Sequence, residues 1–167
     1  MEMEMETGDE AAATARSWAS SAGSRRSMLG NKRRDTKPEL AVRRLLHAQG
    51  LRYRVDFRPT TAVRSRADIV FTKQRVAVFI DGCFWHGCPL HATYPRANAA
   101  YWLPKLARNK ERDADVTRLL EDLGWAVLRF WEHQAPEEAA SETAALVRRL
   151  RGAGARRRID SSPTVPL

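Results

Sequence analysis

The sequence is poor in cysteine and has no long apolar run, and each absence excludes a class of protein. Two cysteines in 167 residues cannot build the disulfide framework of a small secreted domain. No stretch approaches the roughly 20 apolar residues that a membrane-spanning helix requires. The acidic first ten residues lack the basic and then apolar pattern of a signal peptide. We therefore expect a soluble, cytoplasmic protein with no membrane partner.

Acidic charge is also in deficit. The chain has 29 Lys and Arg against 20 Asp and Glu, a formal net charge of +9. Such an excess favours a polyanionic partner, most simply nucleic acid, and hence a location at the nucleoid. The alternative is a genome that favours Arg codons. Basic residues cluster in the segments expected to be loops or tails, where they can follow phosphates: Arg25-Arg26, Lys32-Arg33-Arg34, Arg64 with Arg66, and Arg156-Arg157-Arg158.

Apolar periodicity predicts one α/β domain with a central mixed sheet flanked by helices. Residues 1–24 are acidic and then rich in Ala and Ser, which predicts a disordered tail. Residues 25–151 form the expected domain, and residues 152–167 a basic disordered tail. The expected elements are a helix over 38–49, a strand over 51–55, a hairpin of strands 67–71 and 76–80, a helix over 109–123, a strand over 125–131, and a last helix from 136 to about 151.

Both cysteines follow the second hairpin strand. Cys83, Cys88 and His91, with His133 after a later strand, offer the four sulfur and nitrogen ligands that a structural zinc ion takes. The alternative is a pair of buried thiols with incidental histidines nearby. The sequence therefore predicts a structural zinc site.

Asp68 lies inside an apolar strand, where a carboxylate is costly unless it is paired or binds a cation. The next strand ends in Asp81, and nucleases hold Mg²⁺ against a phosphodiester with this layout. A structural salt bridge is the alternative for Asp68. His86 is a candidate general acid or base, although an isolated histidine is more often structural.

Large aromatic residues accompany these candidates. Phe84, Trp85 and Trp102 occupy polar, loop-like surroundings, where such side chains can wedge into a base stack. The alternative is that they belong to the core, as we expect for Trp125 and Trp131.

From about Ser27 to Gln134 the chain resembles the very-short-patch repair (Vsr) family of DNA mismatch endonucleases. The resemblance implies a restriction-endonuclease-like fold with a structural zinc. It also implies Mg²⁺-dependent nicking of double-stranded DNA 5′ to the thymine of a T:G mismatch. The matching blocks include Asp-Gly-Cys-Phe-Trp-His-Gly-Cys at 81–88 and lie at 35–40, 42–47, 50–54, 67–71, 81–88, 101–113 and 124–132.

The resemblance also implies roles for individual residues. Asp68 matches the metal-binding aspartate, with the carbonyl of Ile80 on the same cation, and His86 matches a catalytic histidine. Glu39 and Asp113 match acidic residues near the active centre, and we place Asp81 with them. The cysteines Cys83 and Cys88 match the zinc ligands with His91, and His133 stands where many relatives have cysteine. The aromatic residues expected to intercalate beside the mismatch are Phe84, Trp85 and Trp102.

Two departures leave alternatives open. The loop Arg58–Ala67 is longer than the Leu-Pro-Gly-x-Pro run of relatives, and Asp81 stands where some members have a second catalytic histidine. One alternative is a zinc-stapled DNA-binding protein without cleavage activity, which leaves Asp68 unexplained. Another is a nuclease of the same fold that acts on a different DNA structure. We expect a monomer that works on mismatched duplex DNA beside repair-pathway proteins.

Overall fold

The computed structural model describes residues 34–91 and 99–160, with side chains up to Ala153. The expected tail at 1–24 and the basic pairs Arg25-Arg26 and Lys32-Arg33 lie outside the described residues. The described elements are α1 (Lys37–Ala48), β1 (Arg54–Phe57), β2 (Ala67–Phe71), β3 (Val76–Asp81), α2 (Ala99–Asp122), β4 (Ala126–Trp131) and α3 (Pro136–Asp160).

The strands form one mixed sheet in the order β1-β2-β3-β4. β1 pairs with β2, and β2 with β3, in antiparallel fashion, so the predicted hairpin is confirmed. β3 pairs with β4 in parallel, from Val76 opposite Ala126 to Asp81 opposite Trp131. A parallel pair needs a crossover, which α2 provides. The predicted α/β fold with a mixed sheet is therefore confirmed.

Helices cover both faces of the sheet. On one face, Val76 and Val78 of β3 pack with Val42 and Leu46 of α1 and with the start of α3. On the other face, Ala77 and Phe79 alternate with them and pack with Leu120 of α2 and the loop before β2. This double burial explains why β3 is an uninterrupted apolar run.

The second helix begins ten residues earlier than predicted, at Ala99 rather than at Asn109. Pro104, which reads as a helix breaker, lies inside it, because buried Trp102 and Leu106 hold the chain against the domain on both sides of the proline. Only part of the apolar surface near the end of this helix is buried. Leu120 is buried, whereas Leu119 and Leu123 are exposed.

Two other boundaries differ from those predicted. The first strand starts at Arg54 instead of Leu51, because Leu51 directly follows Gly50 in a left-handed turn and is buried in the core. The last helix continues past Gly152 to Asp160. None of the described helices is long and apolar enough to cross a membrane. The division of the chain at residues 25 and 151 stays a prediction.

The first testable prediction concerns Thr143 in α3. Its side chain is fully buried, and its hydroxyl has no hydrogen-bond partner among the described residues. Valine has the same shape without the hydroxyl, so Thr143→Val should raise the free energy of unfolding by about 1 kcal/mol. Thr143→Ser keeps the hydroxyl and loses the methyl group, so it should lower that free energy. Urea unfolding of both variants tests this, and a less stable valine variant would contradict it.

Candidate active site and metal-binding cluster

The sheet opens into a cleft where β2 and β3 separate. The backbone pairing of these strands covers Ile69–Phe71 and Val76–Val78. Past Ile69 and Val78, the N–H of Ile80 donates a hydrogen bond of 2.7 Å to Asp68 Oδ2. A side-chain oxygen thus takes the place of the backbone carbonyl that would continue the pairing of the two strands. The cleft around this carboxylate has a volume of about 1200 Å³.

The environment of Asp68 disfavours the ionised form of its carboxyl group. Burial raises the pKa of Asp68 to about 7, although the hydrogen bond from Ile80 works against the rise. Neighbouring carboxylates add to the rise through their charge: Glu39, Asp81 and Asp56. A carboxylate held in this way gains strongly from a bound cation.

Glu39 reaches the cleft from the first turn of α1. Thr36 stands at the N-cap of this helix, but its side chain does not cap the helix. Glu39 instead accepts a hydrogen bond of 2.9 Å from the N–H of Asp35 and one of 2.8 Å from the hydroxyl of Thr36. The buried Glu39 carboxylate is thereby held at the rim of the site.

His86 and Asp113 form a close pair in the same cleft. His86 Nδ1 is hydrogen-bonded to Asp113 Oδ2. Burial works to raise the pKa of Asp113, but the hydrogen bond from His86 and the charges of His86 and Arg129 outweigh it, and this pKa lies below its ordinary value. An ionised carboxylate only accepts, so Nδ1 carries the hydrogen of this bond. The other ring nitrogen, Nε2, is then the atom that can exchange a proton.

Asp81, which the sequence grouped with the catalytic residues, lines the cleft but is held by an arginine. Arg129 Nε donates to Asp81 Oδ2 at 2.7 Å, and Arg129 Nη2 donates to Oδ1 at 2.8 Å. His86 Nδ1 lies 3.6 Å from Oδ1. Both carboxylate oxygens of Asp81 are therefore hydrogen-bonded to the guanidinium of Arg129.

The four predicted zinc ligands lie together. One ligand atom from each of Cys83, Cys88, His91 and His133 lies within 4.8 Å of all the others. Cys83 Sγ is 3.0 Å from His133 Nδ1, and Cys88 Sγ is 3.8 Å from the Nδ1 atoms of both histidines. Burial, together with the neighbouring Cys88, raises the pKa of Cys83 to about 11. A cation at this cluster would reverse that effect by binding the thiolates.

The loop that carries His86 is fastened by β4 and α2. The N–H of Cys83 donates to Glu132 Oε1 at 2.7 Å, and Asn109 Nδ2 donates to the carbonyl of Trp85 at 3.1 Å. Gly87 has a positive φ of 65°. This left-handed conformation favours glycine, and a side chain there would also displace the flexible end of Lys110.

The three predicted intercalating aromatic residues form one cluster but are not equally exposed. Phe84 and Trp85 line the cleft, with ring centroids 5.1 Å apart. Trp102 is 2% exposed and lies against both, at 5.7 and 5.9 Å. Trp102 thus supports the other two rings, and its own insertion into DNA stays a prediction that requires those rings to move.

Comparison with known proteins connects this site to a family. The model of the family "DNA mismatch endonuclease Vsr" matches residues 20–91. The DNA mismatch endonuclease Vsr of Escherichia coli (strain K12) is 37% identical over 135 residues, which cover 77% of this chain and 83% of that protein. The chain belongs to the Vsr family.

Nicking enzymes are also among its Vsr-like relatives. The type II nicking enzyme V.NaeI of Lentzea aerocolonigenes is 50% identical over 140 residues, covering 78% of this chain and 84% of that enzyme. The type II nicking enzyme V.NmeDIP of Neisseria meningitidis serogroup C is 43% identical over 108 residues, covering 64% and 71%.

Two residues of this Vsr site were missed by sequence reasoning. Arg129 interrupts the apolar strand β4 as Asp68 interrupts β2, so the same argument about buried charge could have found it. Glu132 lies in the matching block 124–132 without an assigned role. Its hydrogen bond from the N–H of Cys83 depends on the parallel pairing of β3 with β4. The predicted residues that the cleft does bring together are Glu39, Asp68, Ile80, Asp81, Phe84, Trp85, His86 and Asp113.

The raised pKa of Asp68 generates a second prediction. The carboxyl has a pKa of about 3.9 in an unfolded chain and about 7 in the fold. Stability is therefore lost as the pH rises from about 4 to about 7. Asn cannot ionise, so without added divalent cation Asp68→Asn should melt above the unsubstituted protein, and its advantage should be about 5 °C larger at pH 8 than at pH 5.5. An advantage that does not change with pH would contradict this.

Proposed function

We propose that this protein nicks double-stranded DNA 5′ to the thymine of a T:G mismatch in a Mg²⁺-dependent reaction. The observation that carries the proposal is the placement of Asp68 and the His86–Asp113 pair in one cleft, beside the exposed edge of an aromatic cluster. Membership of the Vsr family supports it. Three parts of the proposal go beyond the family assignment: that the reaction uses Mg²⁺, that the nicked strand is the one that carries the thymine, and that the mismatch is T:G.

Asp68 and Ile80 fit a hard divalent cation. Such a cation takes carboxylate and backbone carbonyl oxygens, and Asp68 is a partly buried carboxylate whose pKa is raised by burial to about 7. We assign Asp68 and the carbonyl of Ile80 as ligands, with Glu39 ordering the water around them. Bound Mg²⁺ supplies charge stabilisation at the phosphate and at the leaving oxygen.

His86 moves the proton in this proposal. Asp113 fixes the imidazole by accepting from Nδ1, which leaves Nε2 to take a proton from the attacking water or to deliver one to the leaving oxygen. The pairing of an imidazole with an ionised carboxylate stabilises the imidazolium that forms during the transfer. Asp81 contributes charge balance with Arg129 rather than proton transfer, because both its oxygens already accept from the guanidinium.

We place the DNA backbone against cationic side chains that line the cleft. Besides Arg129, these are Lys37, Arg64, Arg66 and Arg112. Contacts of this kind bind phosphates without reading sequence, and they weaken with salt. Phe84 and Trp85 enter the base stack at the mismatch, since a weakly stacked wobble pair costs less to open than a matched pair.

We assign zinc to the cluster of Cys83, Cys88, His91 and His133. Two thiols and two imidazoles whose ligand atoms converge within 4.8 Å suit the tetrahedral coordination of a closed structural zinc site. The loop residues between the two cysteines include Trp85 and His86. Zinc would hold both Trp85 and His86 in place.

The third prediction tests the reaction. In Mg²⁺, an end-labelled T:G duplex should be nicked on the T strand 5′ to the mispaired T, and the matched C:G duplex should stay largely intact. Asp68→Asn should abolish nicking and change duplex binding by no more than a few-fold. Trp85→Ala should slow nicking of the mismatch by about tenfold, because stacking of a base on an aromatic ring contributes roughly 1–3 kcal/mol.

Two other outcomes would replace this function by a different one. Equal cutting of matched and mismatched duplexes would favour a nuclease for another DNA structure, which the long loop Arg58–Ala67 and the relatives named nicking enzymes also suit. No cutting of any duplex by zinc-loaded protein in Mg²⁺ or Mn²⁺ would favour a zinc-stapled DNA-binding protein without cleavage activity.

The fourth prediction tests the zinc site. Elemental analysis should find about one zinc per chain, and Cys83→Ser or Cys88→Ser should lower both the zinc content and the melting temperature, because structural zinc contributes several kcal/mol of folding free energy. His133→Cys replaces one zinc ligand with another and should keep the metal. A metal-free protein with unchanged melting would refute the assignment.

A further inference from the structure

Arg129 is a partly buried cation in the cleft that takes no part in the proton transfer or metal binding proposed above. Its side chain is 22% exposed, and its guanidinium lies 4.7 Å from the ring centroid of Phe79, the residue opposite it in β3. Besides the two hydrogen bonds to Asp81, Arg129 Nη1 donates to the carbonyl of Asp113 at 3.3 Å. Arg129 Nη2 lies 3.4 Å from Asp113 Oδ1.

Both carboxylates that Arg129 contacts also face His86. Asp113 Oδ2 is hydrogen-bonded to His86 Nδ1, and Asp81 Oδ1 lies 3.6 Å from the same nitrogen. Two carboxylates near one N–H compete for it. Because both oxygens of Asp81 are engaged by Arg129, the N–H of His86 is left to Asp113.

We propose that Arg129 is a positioning residue for the hydrolytic reaction, which holds Asp81 away from His86 and fixes Asp113 so that the imidazole keeps one orientation. This inference rests on the proposed function. In this proposal Arg129 acts through Asp81 and Asp113 rather than by contact with the phosphate or the attacking water. Small displacements of a proton-carrying group are costly, since a shift of about 1 Å can reduce a rate by about 100-fold.

A role for the ion pair between Arg129 and Asp81 in joining β3 to β4 does not account for these contacts as well. β3 and β4 are already joined by backbone pairing along six residue pairs, up to Asp81 opposite Trp131. The strands therefore do not need a side-chain link at this point. A buried ion pair also adds little net stability, because desolvation of both charges offsets their attraction. The orientation of His86 is what the pair specifically determines.

The test removes the ion pair as a unit. Arg129→Met alone leaves Asp81 buried and unpaired and is expected to destabilise the fold. The double variant Arg129→Met/Asp81→Asn removes both charges, so its zinc content and melting temperature should stay close to those of the unsubstituted protein. With enzyme in excess over a T:G duplex, its nicking rate should fall by about 10- to 100-fold, with an unchanged Kd for DNA.

Two single variants calibrate the result. Arg129→Lys keeps the positive charge but cannot donate to both oxygens of Asp81 in a fork, so its nicking rate should lie between those of the unsubstituted protein and the double variant. Arg118→Met removes an arginine that pairs with Asp115 on the exposed side of α2, and its rate should be unchanged. A double variant that folds and nicks at the normal rate would overturn the proposal.

A readout without catalysis separates this inference from the proposed function. The ¹H–¹⁵N long-range spectrum of the His86 ring, assigned with His86→Gln, should show one form with Nδ1 protonated in the full zinc-loaded chain. The double variant should show shifted or exchange-broadened signals. Should the unsubstituted protein nick no duplex, the proposed function fails, and this spectrum still decides the role of Arg129: identical spectra would overturn it.

Discussion

The parallel pairing of β3 with β4 is the constraint on which both halves of the site depend. The two strands stay in register up to Asp81 and Trp131, so they end at the same edge of the sheet. The loop after Asp81 therefore starts beside Glu132 and His133. Glu132 accepts from the first loop amide, and His133 Nδ1 comes within 3.0 Å of Cys83 Sγ. Cys83 and His133, which are 50 positions apart in the sequence, become neighbours through the register of the two strands.

Three charged residues of the sheet are buried or partly buried, Asp68, Asp81 and Arg129, and the two carboxylates among them are compensated in different ways. Arg129 meets Asp81 in a fork of two short hydrogen bonds. Asp68 is paired with a backbone amide, and among the described residues no cation forms an ion pair with it. Its pKa of about 7 expresses this lack of compensation. The protein thus satisfies one of its acidic centres internally and leaves the other to gain from a cation that binds from outside.

The sequence predicted the members of the site better than their arrangement. Asp68, His86 and the Cys and His residues stand out because charge in an apolar strand and clustered metal ligands are visible in one dimension. The fork from Arg129 to Asp81 spans 48 positions and depends on strand register, which periodicity does not give. The early start of α2 was hidden by Pro104, whose cost is offset by packing on both sides. The burial of Trp102 follows from that same helix.

In the proposed function, the loop between the two cysteines couples metal binding to catalysis. Trp85 and His86 lie between Cys83 and Cys88, and the loop is attached at three places: to Glu132 at the end of β4, to Asn109 of α2, and at the Cys/His cluster. A change at any of these three attachments moves Trp85 and His86 together, because the two residues are adjacent in the chain. The zinc proposed for this cluster would then affect both residues, although it touches neither the DNA nor the attacking water. The proposed structural ion and the rate of the proposed hydrolysis are in this way linked through the geometry of a single short loop.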